Sequence, residues 1–590
     1  MPENNKKDRK QTLVDDTYNE YRISSDSKQK YENQWFRIYK MYNGSLDKIL
    51  NWDKRRPHIF VPKIFPLIEI EAARYIIGLF QTPPFIKCDP RNAIGLENKM
   101  SVQTVMEYYL QMAKIFKVMV ETVKIVLIYG TVGIVPSWVV KKRKVRKPIY
   151  SESSEDKQKS ANMMETYEET YRGLEFSVYE PWAIFPFHPF ATDENSADAV
   201  IVEDYISENF YNQKVKAGEY DNISIKKLRL GTEVGSSIPE KKRQRLGHPQ
   251  PVGAENLIQR WRRISDDQII TILAQEFLVS ELDNPYPFPQ KPFIRGIKTY
   301  HPKEFFGGDS VKVVEQIQLA MNTLFNQMFA IMAQTIDPVA SYRRGSVNPN
   351  QIVSFPMQRI GTLDPATDVV FHKPPPLGLD PYNIYKMLSD MFDEATGFFD
   401  IKKGALPRQE TATGIAVLSQ AAEYRTRFDI RVFEEYTLAP LAEMTRLMIK
   451  EWMPTNQEFF ITGKEPKWET ISREQMDGQF AYRCGGSEMT ANMTVDREQL
   501  LRLLPVLMQL PFLASNQQGL ISLVKEIVSY FPVKNMDEIF SSPQQAPNMM
   551  EQLLGQPVQS PSGGQTNLGD LLAVSNSRMA PSGGRNLPIG

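Results

Sequence analysis

Apolar and aromatic side chains recur at helical spacing in several long segments. Four aromatic residues near the amino terminus fall on one helix face: Tyr31, Trp35, Tyr39 and Tyr42. The same spacing predicts a helix over 67–80 and a long helix over about 95–129, the second ending at Gly130. Glycine is common just past a helix end because it adopts the left-handed backbone conformation without steric cost.

Strand patterns alternate with these helices. The segment TVGIVPSWVV, residues 131–140, is rich in β-branched residues, which strands favour. From 176 to about 300, aromatic and β-branched clusters alternate with Pro, Gly and charged loops, a pattern typical of a mostly β or mixed region. Short strand-like pieces also occur between 338 and 376. We therefore expect an α/β (α+β) fold that is mainly helical.

One helical segment carries amides but no formal charge. Residues 316–336, QIQLAMNTLFNQMFAIMAQTI, would form a helix about 31 Å long, the length of a membrane span. Six amides lie in it: Gln316, Gln318, Asn322, Asn326, Gln327 and Gln334. Burying unpaired amides in hydrocarbon costs roughly a few kcal/mol each. We therefore expect a helix packed against protein, either within one chain or between identical neighbours that satisfy its amides.

Further helices are predicted towards the carboxyl end. One covers about 381–396 and another about 414–453, where Pro440 should bend or interrupt the helix because proline lacks a backbone donor. Opposite charges four positions apart support the longer helix: Glu423 with Arg427, Arg425 with Asp429, and Arg431 with Glu435. Beyond 541 the chain turns to Pro, Gln, Ser, Asn and Gly, a composition typical of disorder.

The charge balance limits how the chain can contact nucleic acid. Its 70 basic and 70 acidic residues give a net charge of zero, so any contact with DNA must be local. The basic run KKRKVRK at 141–147 fits a solvated hairpin rim better than a contact with DNA or a partner. The amino terminus has no apolar run, so we expect a chain made in the cytoplasm.

Signals for catalysis and metal binding are weak. Two cysteines, Cys88 and Cys484, are too few for a disulfide framework and fit a reducing compartment. The five histidines include no pair at helical metal-ligand spacing, and the phosphate-loop, nucleophile-elbow and zinc-protease motifs do not occur. We therefore expect no catalytic residue, metal or cofactor. Carboxylates brought together from distant positions to bind Mg²⁺ are the alternative.

Five segments, in this order, resemble the portal proteins of tailed bacteriophages, which connect head and tail. They are LIYGTVGIVPSWVV, YEPWAIFPFHPF, FFGGDSVKVVEQIQLAMNTLFNQ, ATGFFDIKKG and ETATGIAVLSQAAEYRTRF. The resemblance implies a fold of wing, stem, clip and crown. On this chain the wing is 1–307 with insertions near 141–170 and 222–253, the first stem helix 308–336, the clip 337–376, the second stem helix 377–396, the channel loop 397–413, a long helix and wing return 414–495, a helical crown 496–540 and a disordered tail 541–590.

The resemblance also implies a function. Portal proteins form a ring of twelve identical subunits at one capsid vertex, with a channel for packaging and ejecting double-stranded DNA. The implied partners are that DNA, the terminase large subunit, the head-tail adaptor, and the major capsid and scaffolding proteins, with no membrane. The protein would be structural, assembled in the host cytoplasm and carried in the virion. A metal-dependent nucleic-acid enzyme with an α/β core is the alternative.

Candidate site residues follow from laying these regions on the chain. In the channel loop, Lys402, Lys403 and Arg408 could touch passing phosphates, although a solvated loop held by neighbouring subunits is an equal alternative. In the clip, Arg343 and Arg344 are candidates for docking DNA or the adaptor. The residues expected to pack between subunits are Gln316, Gln327, Tyr342 and Phe355.

Overall fold

The chain divides into two compact units, Met1–Ala491 and Asn492–Gly590. The computed structural model describes residues 3–44, 58–80, 84–148, 163–188, 190–231, 257–348, 350, 352, 360–372, 374–376, 378–396, 426–455, 457–461 and 467–484, all in the first unit. The predicted channel loop, crown and tail lie outside the described residues.

The described residues of the amino-terminal part include four helices: α1 (Glu3–Tyr42), α2 (Ile64–Phe80), α3 (Ala93–Met112) and α4 (Ile115–Tyr129). The single helix predicted over 95–129 is wrong. Lys114, with φ of 56° in the left-handed region, separates α3 from α4. The break lets α3 pack on the strand that precedes it while α4 packs on α2.

The predicted helix end at Gly130 is confirmed. Its φ is 79° and its N–H donates to the Val126 carbonyl. A Cβ at this position would lie 2.4 Å from the carbonyl oxygen of Gly307. Glycine is therefore required both for the backbone conformation and for the close approach of another chain segment.

A long antiparallel pair follows α4. Strands β2 (Thr131–Pro148) and β3 (Met163–Tyr179) pair along almost their whole length, with an irregularity between Lys141 and Lys142. Strand β9 (Ile294–Ile297) pairs only with the start of β2, so the order in this sheet is β3-β2-β9. The basic run at 141–147 therefore lies within a strand.

The region from 176 to 300 is mostly sheet, as predicted. Five antiparallel strands lie side by side in sequence order: β4 (Ile184–Phe187), β5 (Ala199–Ser207), β6 (Leu257–Ile264), β7 (Gln268–Leu273) and β8 (Phe277–Asp283). The short helices α5 (Glu208–Lys216) and α6 (Ile225–Gly231) follow β5 in the part of this connection that the structure describes.

Helix α1 packs on this five-stranded sheet through aromatic rings and one buried lysine. Tyr21 stacks on Trp261 with ring centroids 4.1 Å apart. The buried Lys28 amine donates to the carbonyls of Trp182 and Ile184 at 2.7 and 3.0 Å. Burial lowers the pKa of the Lys28 amine, although nearby carboxylates favour its charged form. The hydrogen bonds from the Lys28 amine to these carbonyls fix the position of α1 on the sheet.

Two helices and a hairpin follow in the predicted order. Helix α7 (Glu315–Ile336) packs against α8 (Asp380–Thr396), and β10 (Val339–Tyr342) pairs with β11 (Val369–His372). The part of the chain that these elements span, 315–396, is called the helix–hairpin–helix region below. The rest of the described unit is called the body.

Pro440 interrupts the carboxy-terminal helix, as predicted. Residues 426–433 are α-helical, Glu434–Leu438 form a π-helical turn, and α9 (Ala439–Trp452) continues the helix with the proline in its first turn. The wider turn accommodates a residue that cannot donate its backbone hydrogen bond. The predicted pair of Arg431 with Glu435 forms, whereas Glu423 and Arg425 lie outside the described residues.

Among the described residues, one local and one long-range strand pair complete the body. Strand β12 (Gln457–Ile461) pairs with β13 (Lys467–Ile471), and β14 (Phe480–Cys484) pairs with β1 (Ile86–Pro90). This second pair brings Cys88 and Cys484 to neighbouring strands, where both are free thiols and buried. Helices make up about half of the described residues and the strands form small antiparallel sheets, so the fold is mixed α+β and less helical than expected.

Candidate functional site

The amides of α7 lie on two different faces of the helix. Gln318, Asn322 and Asn326 are buried, and their spacing of four residues places them in one stripe. Gln316, Gln327 and Gln334 are exposed. Of the two arrangements expected for this helix, packing within one chain is therefore confirmed for the buried stripe.

The buried stripe forms a clamp on the segment that leads into α2. Asn326 makes two bonds to Ile59: its Oδ1 accepts from the backbone N–H at 2.7 Å and its Nδ2 donates to the carbonyl at 2.8 Å. Asn322 Oδ1 accepts from the Val61 N–H at 2.8 Å, and Gln318 Nε2 donates to the Val61 carbonyl at 2.7 Å. Side chains of a helix thus provide the hydrogen bonds that a neighbouring strand would provide.

Charged side chains join the same part of the body to both helices. Arg37 of α1 forms an ion pair with Glu315 at the start of α7. Lys63, just before α2, donates to the Ser389 hydroxyl of α8 at 2.7 Å. The helix pair is therefore attached to the body near the amino-terminal end of α7 and the carboxy-terminal end of α8, and it extends from there to the hairpin.

Large apolar side chains of the helix–hairpin–helix region are mostly exposed. Among its described residues, only Met321, Met328, Val347 and Phe392 are buried hydrophobic side chains. Thirteen others are exposed: Phe329, Met332, Ile336, Val339, Tyr342, Leu363, Val370, Phe371, Leu379, Tyr382, Ile384, Met387 and Met391. An exposed apolar surface of this extent marks an interaction site rather than a protein surface that faces only water.

Helix α8 shows this exposure most clearly. Phe392 and Tyr385 face inwards, with the Tyr385 ring 5.9 Å from that of Phe325 on α7. Ile384, Met387 and Met391 are exposed and share a different face, because they follow i, i+3, i+7 spacing. One flank of the helix pair is therefore apolar and uncovered in the single chain.

A buried carboxylate organises the turn region of the hairpin. Asp368 is only 1% exposed, and its side chain accepts from the backbone N–H groups of Leu363 and Asp364 at 3.0 and 2.7 Å. It also accepts from the Ser346 hydroxyl. These bonds, led by the one from Ser346, hold the pKa of Asp368 below its usual value. The backbone carbonyl of Asp368 accepts from Arg343 N–H at 3.0 Å.

The structure places several of the predicted site residues on the surface. Arg343 and Arg344 follow β10 directly and are exposed, as are Gln316, Gln327 and Tyr342. Phe355 and the proposed channel residues Lys402, Lys403 and Arg408 lie outside the described residues. The roles assigned to all of these residues stay predictions.

The described residues contain no group of three or more His, Cys, Asp or Glu side chains that could hold a metal ion. No helix in the described ranges is both long and apolar enough to cross a membrane. The buried amides and their hydrogen bonds show that the uncharged stretch in α7 packs against the body along one side.

Two features of the site were missed in the sequence. The spacing of Gln318, Asn322 and Asn326 is visible there and separates them from the exposed amides, but their partner segment lies more than 250 residues away. The role of Asp368 has no signal beyond the Asp-Pro turn that precedes it. Both depend on contacts that form only in the folded chain.

Comparison with known proteins gives one family. A search of the curated proteins found no match for this chain. The model of the family described as phage SU10 portal protein matches residues 273–561, a range that includes the helix pair and the hairpin between its two helices. The resemblance seen in the sequence is thus confirmed over this range, which matches the phage portal protein family.

Proposed function

We propose that the protein is the subunit of a portal ring at one capsid vertex, through which double-stranded DNA is packaged and later ejected. The observation that carries this proposal is the uncovered apolar surface of the helix–hairpin–helix region, on a chain whose family is that of phage portals. The portal family is generally non-enzymatic, and a structural role fits it. Identical neighbours are the partners that best cover this surface.

The two sides of the helix pair fit a closed ring of identical copies. Helix α7 presents exposed Gln316 and Gln327 and has no formal charge after Glu315. Helix α8 presents Ile384, Met387 and Met391. In a ring, one side of each subunit contacts the opposite side of the next, so two different faces are needed. The α7 face carries no formal charge, and on α8 the exposed Asp380 and Glu394 lie only at the two ends of the apolar stripe.

The mapping of the remaining regions is part of the same proposal. The body would be the wing, α7 and α8 the stem, and the β10–β11 hairpin the clip. Exposed Arg343 and Arg344 lie at the hairpin, where they would dock the terminase large subunit and then the head-tail adaptor. The capsid and scaffolding proteins would contact the wing. Lys402, Lys403 and Arg408 would line the channel and meet the DNA backbone.

Clamping by the buried amides supports a mechanical role for the helix pair. The bonds from Asn322 and Asn326 to the segment before α2, with the ion pair of Arg37 and Glu315, hold α7 rigidly on the body. A rigid attachment keeps the angle between the body and the helix pair the same in every copy. Ring closure depends on such a constant angle.

The size of the assembled species tests this proposal. The wild-type chain should form rings with a bore wide enough for duplex DNA, seen by light scattering and negative-stain microscopy. Met387→Glu places a charge on the apolar flank of α8 and should reduce ring formation, because an unpaired charge is costly to bury. Phe190→Glu is the matched control, since Phe190 is 81% exposed and lies in the body; it should leave rings intact.

Two outcomes would contradict the proposal. The wild-type chain could stay monomeric at every concentration tested and be absent from purified virus particles. Alternatively, Met387→Glu could assemble as well as the wild type, which would show that the apolar flank of α8 is not a contact between subunits.

A further inference from the structure

The pair of strands β2 and β3 extends beyond the sheet that contains it. Strand β9 pairs with β2 only over Thr131–Ile134, whereas β3 continues to pair with β2 as far as Pro148. From Val135 onward, no third strand among the described residues pairs with either outer edge. This two-stranded extension, residues 135–148 and 163–177, is called the arm. Within the described ranges each of its edges therefore lacks a partner strand, and a strand edge without a partner presents backbone donors and acceptors for pairing.

The two edges of the arm carry opposite charge. Strand β2 contains six basic residues and no acidic residue, whereas β3 contains four glutamates and one arginine. On β2, Lys141, Lys142 and Arg143 are exposed. The charges of the two strands partly meet within the chain, where Lys141 pairs with Glu175 at 2.8 Å. By sequence, β2 has six positive charges and β3 a net of three negative charges, so pairing within the chain cannot neutralise β2.

Acidic residues on β3, the strand that pairs with β2, remain accessible to solvent. Glu169 is exposed and pairs with Arg172 of its own strand at 2.9 Å. The bond from Arg172 holds the pKa of Glu169 below its usual value, so the carboxylate stays ionised at neutral pH. The outer edge of β3 is thus acidic while that of β2 is basic.

We propose that the basic β2 edge of one copy docks along the acidic β3 edge of the next copy, so that the arms join into one antiparallel sheet around the ring. This contact depends on the ring proposed above. Within that ring, the arm edges would determine which surface of the next copy is bound. Arms related by a rotation axis point the same way. Because β2 and β3 run in opposite directions, β2 of one copy is then antiparallel to β3 of the next.

Charge also decides which edges can meet. Two β2 edges would place Lys142 and Arg143 opposite the same residues of another copy, and like charges across a strand pair are unfavourable. The same holds for two β3 edges. Only the unlike edges attract, and their contact is head-to-tail. A head-to-tail contact produces a ring when the rotation closes, whereas a contact between like edges would stop at a dimer.

Charge reversal of each edge tests the proposal in the full-length chain. One variant carries Lys141→Glu, Lys142→Glu and Arg143→Glu, so that both edges are acidic in this part of the arm. The other carries Glu168→Lys, Glu169→Lys and Glu175→Lys, so that both edges are basic. Each variant alone should show a ring fraction lower by about tenfold at fixed concentration, because like charges replace opposite ones at each contact.

Co-expression of the two variants with different tags separates contacts between copies from effects within one chain. Each variant keeps its own repulsion between β2 and β3, and a second chain does not remove that repulsion. If the arms dock between copies, the co-expressed variants recover rings, and each tag purifies the other variant. Circular dichroism of each variant checks that the body is folded.

Three results would overturn the inference. Rings formed normally by either variant alone would show that the arm edges are not a subunit contact, while the ring itself would stand. Failure of the co-expressed pair to recover would show that the charges act within the chain. Absence of rings from the wild type would overturn both the ring and the arm contact.

Discussion

The body and the helix–hairpin–helix region differ in where they place their apolar side chains. In the body, large aromatic residues such as Trp35, Trp261 and Tyr109 are almost fully buried. In the helix–hairpin–helix region, Phe371, Leu379 and Met387 are each exposed by 48% or more. The body therefore has the core of a domain that is stable alone, whereas the other region has only part of one.

The buried polar groups of the helix–hairpin–helix region, unlike its apolar side chains, find their partners within the chain. The buried amides of α7 have partners within the chain, and Asp368 accepts three hydrogen bonds in the hairpin. A region that was simply unstable would leave such groups unpaired. The helix–hairpin–helix region is instead ordered by its polar contacts, and its apolar side chains are left for a partner to cover.

The largest expected effect comes from removing an aromatic ring in the body. Trp261→Ala should lower the free energy of unfolding by about 3–5 kcal/mol, because the indole is buried and stacks on Tyr21. Phe371→Ala, in the exposed hairpin, should change it by less than about 0.5 kcal/mol. Urea denaturation of both variants, followed by tryptophan fluorescence and circular dichroism, measures the difference. Equal destabilisation would remove the contrast between the two regions.

Local patterns predicted much of this fold. Helices α2 and α8 and the interruption at Pro440 were found from periodicity and proline alone, because each depends on nearby residues. The break at Lys114 was missed, since the residues on both sides of it favour a helix and only tertiary packing separates them. The pairing of β1 with β14 joins segments about 400 residues apart, and no local pattern encodes it.

The site was predictable to a smaller degree. The uncharged helix 316–336 and the order of helix, hairpin and helix were found in the sequence, and they lie within the range that matches the phage portal family. The sequence did not show which amides of α7 are buried and which are exposed, because that depends on which face of the helix contacts Ile59 and Val61. Burial of a polar residue can be known only when its partner has been placed.

Two adjacent amides on α7, the buried Asn326 and the exposed Gln327, test the difference between the two faces of this helix. Asn326→Leu removes both bonds to Ile59 and leaves a backbone N–H and carbonyl without these partners. These bonds are partly buried, and a hydrogen bond typically contributes about 0.5–1.5 kcal/mol to stability, so this variant should unfold at a lower temperature. Gln327→Leu changes the next residue, which is exposed, and should leave the monomer within about 0.5 kcal/mol of the wild type.

Hydrogen exchange locates the effect of the Asn326 change. The amide of Ile59 should lose protection in Asn326→Leu and keep it in Gln327→Leu, while amides in the five-stranded sheet should be unaffected in both. If Gln327→Leu destabilised the monomer as much as Asn326→Leu, the assignment of the two faces of α7 would be wrong.

The smallest effect is expected at the hairpin, where it should depend on pH. Hydrogen bonds hold the pKa of Asp368 below its usual value, so its ionised form stabilises the turn at any pH above the ordinary carboxyl pKa of about 4. That contribution declines as the pH falls below about 4 and disappears below the pKa in the folded chain. Asp368→Asn should therefore weaken protection of the Leu363 and Asp364 amides at pH 7, with little difference from the wild type in strong acid.

Hydrogen exchange corrected for intrinsic rates measures this protection, and Asp390→Asn, at an exposed carboxylate of α8, is the control. A difference between Asp368→Asn and the wild type that stayed the same from pH 7 into strong acid would show that the turn depends on the shape of the side chain rather than on its charge.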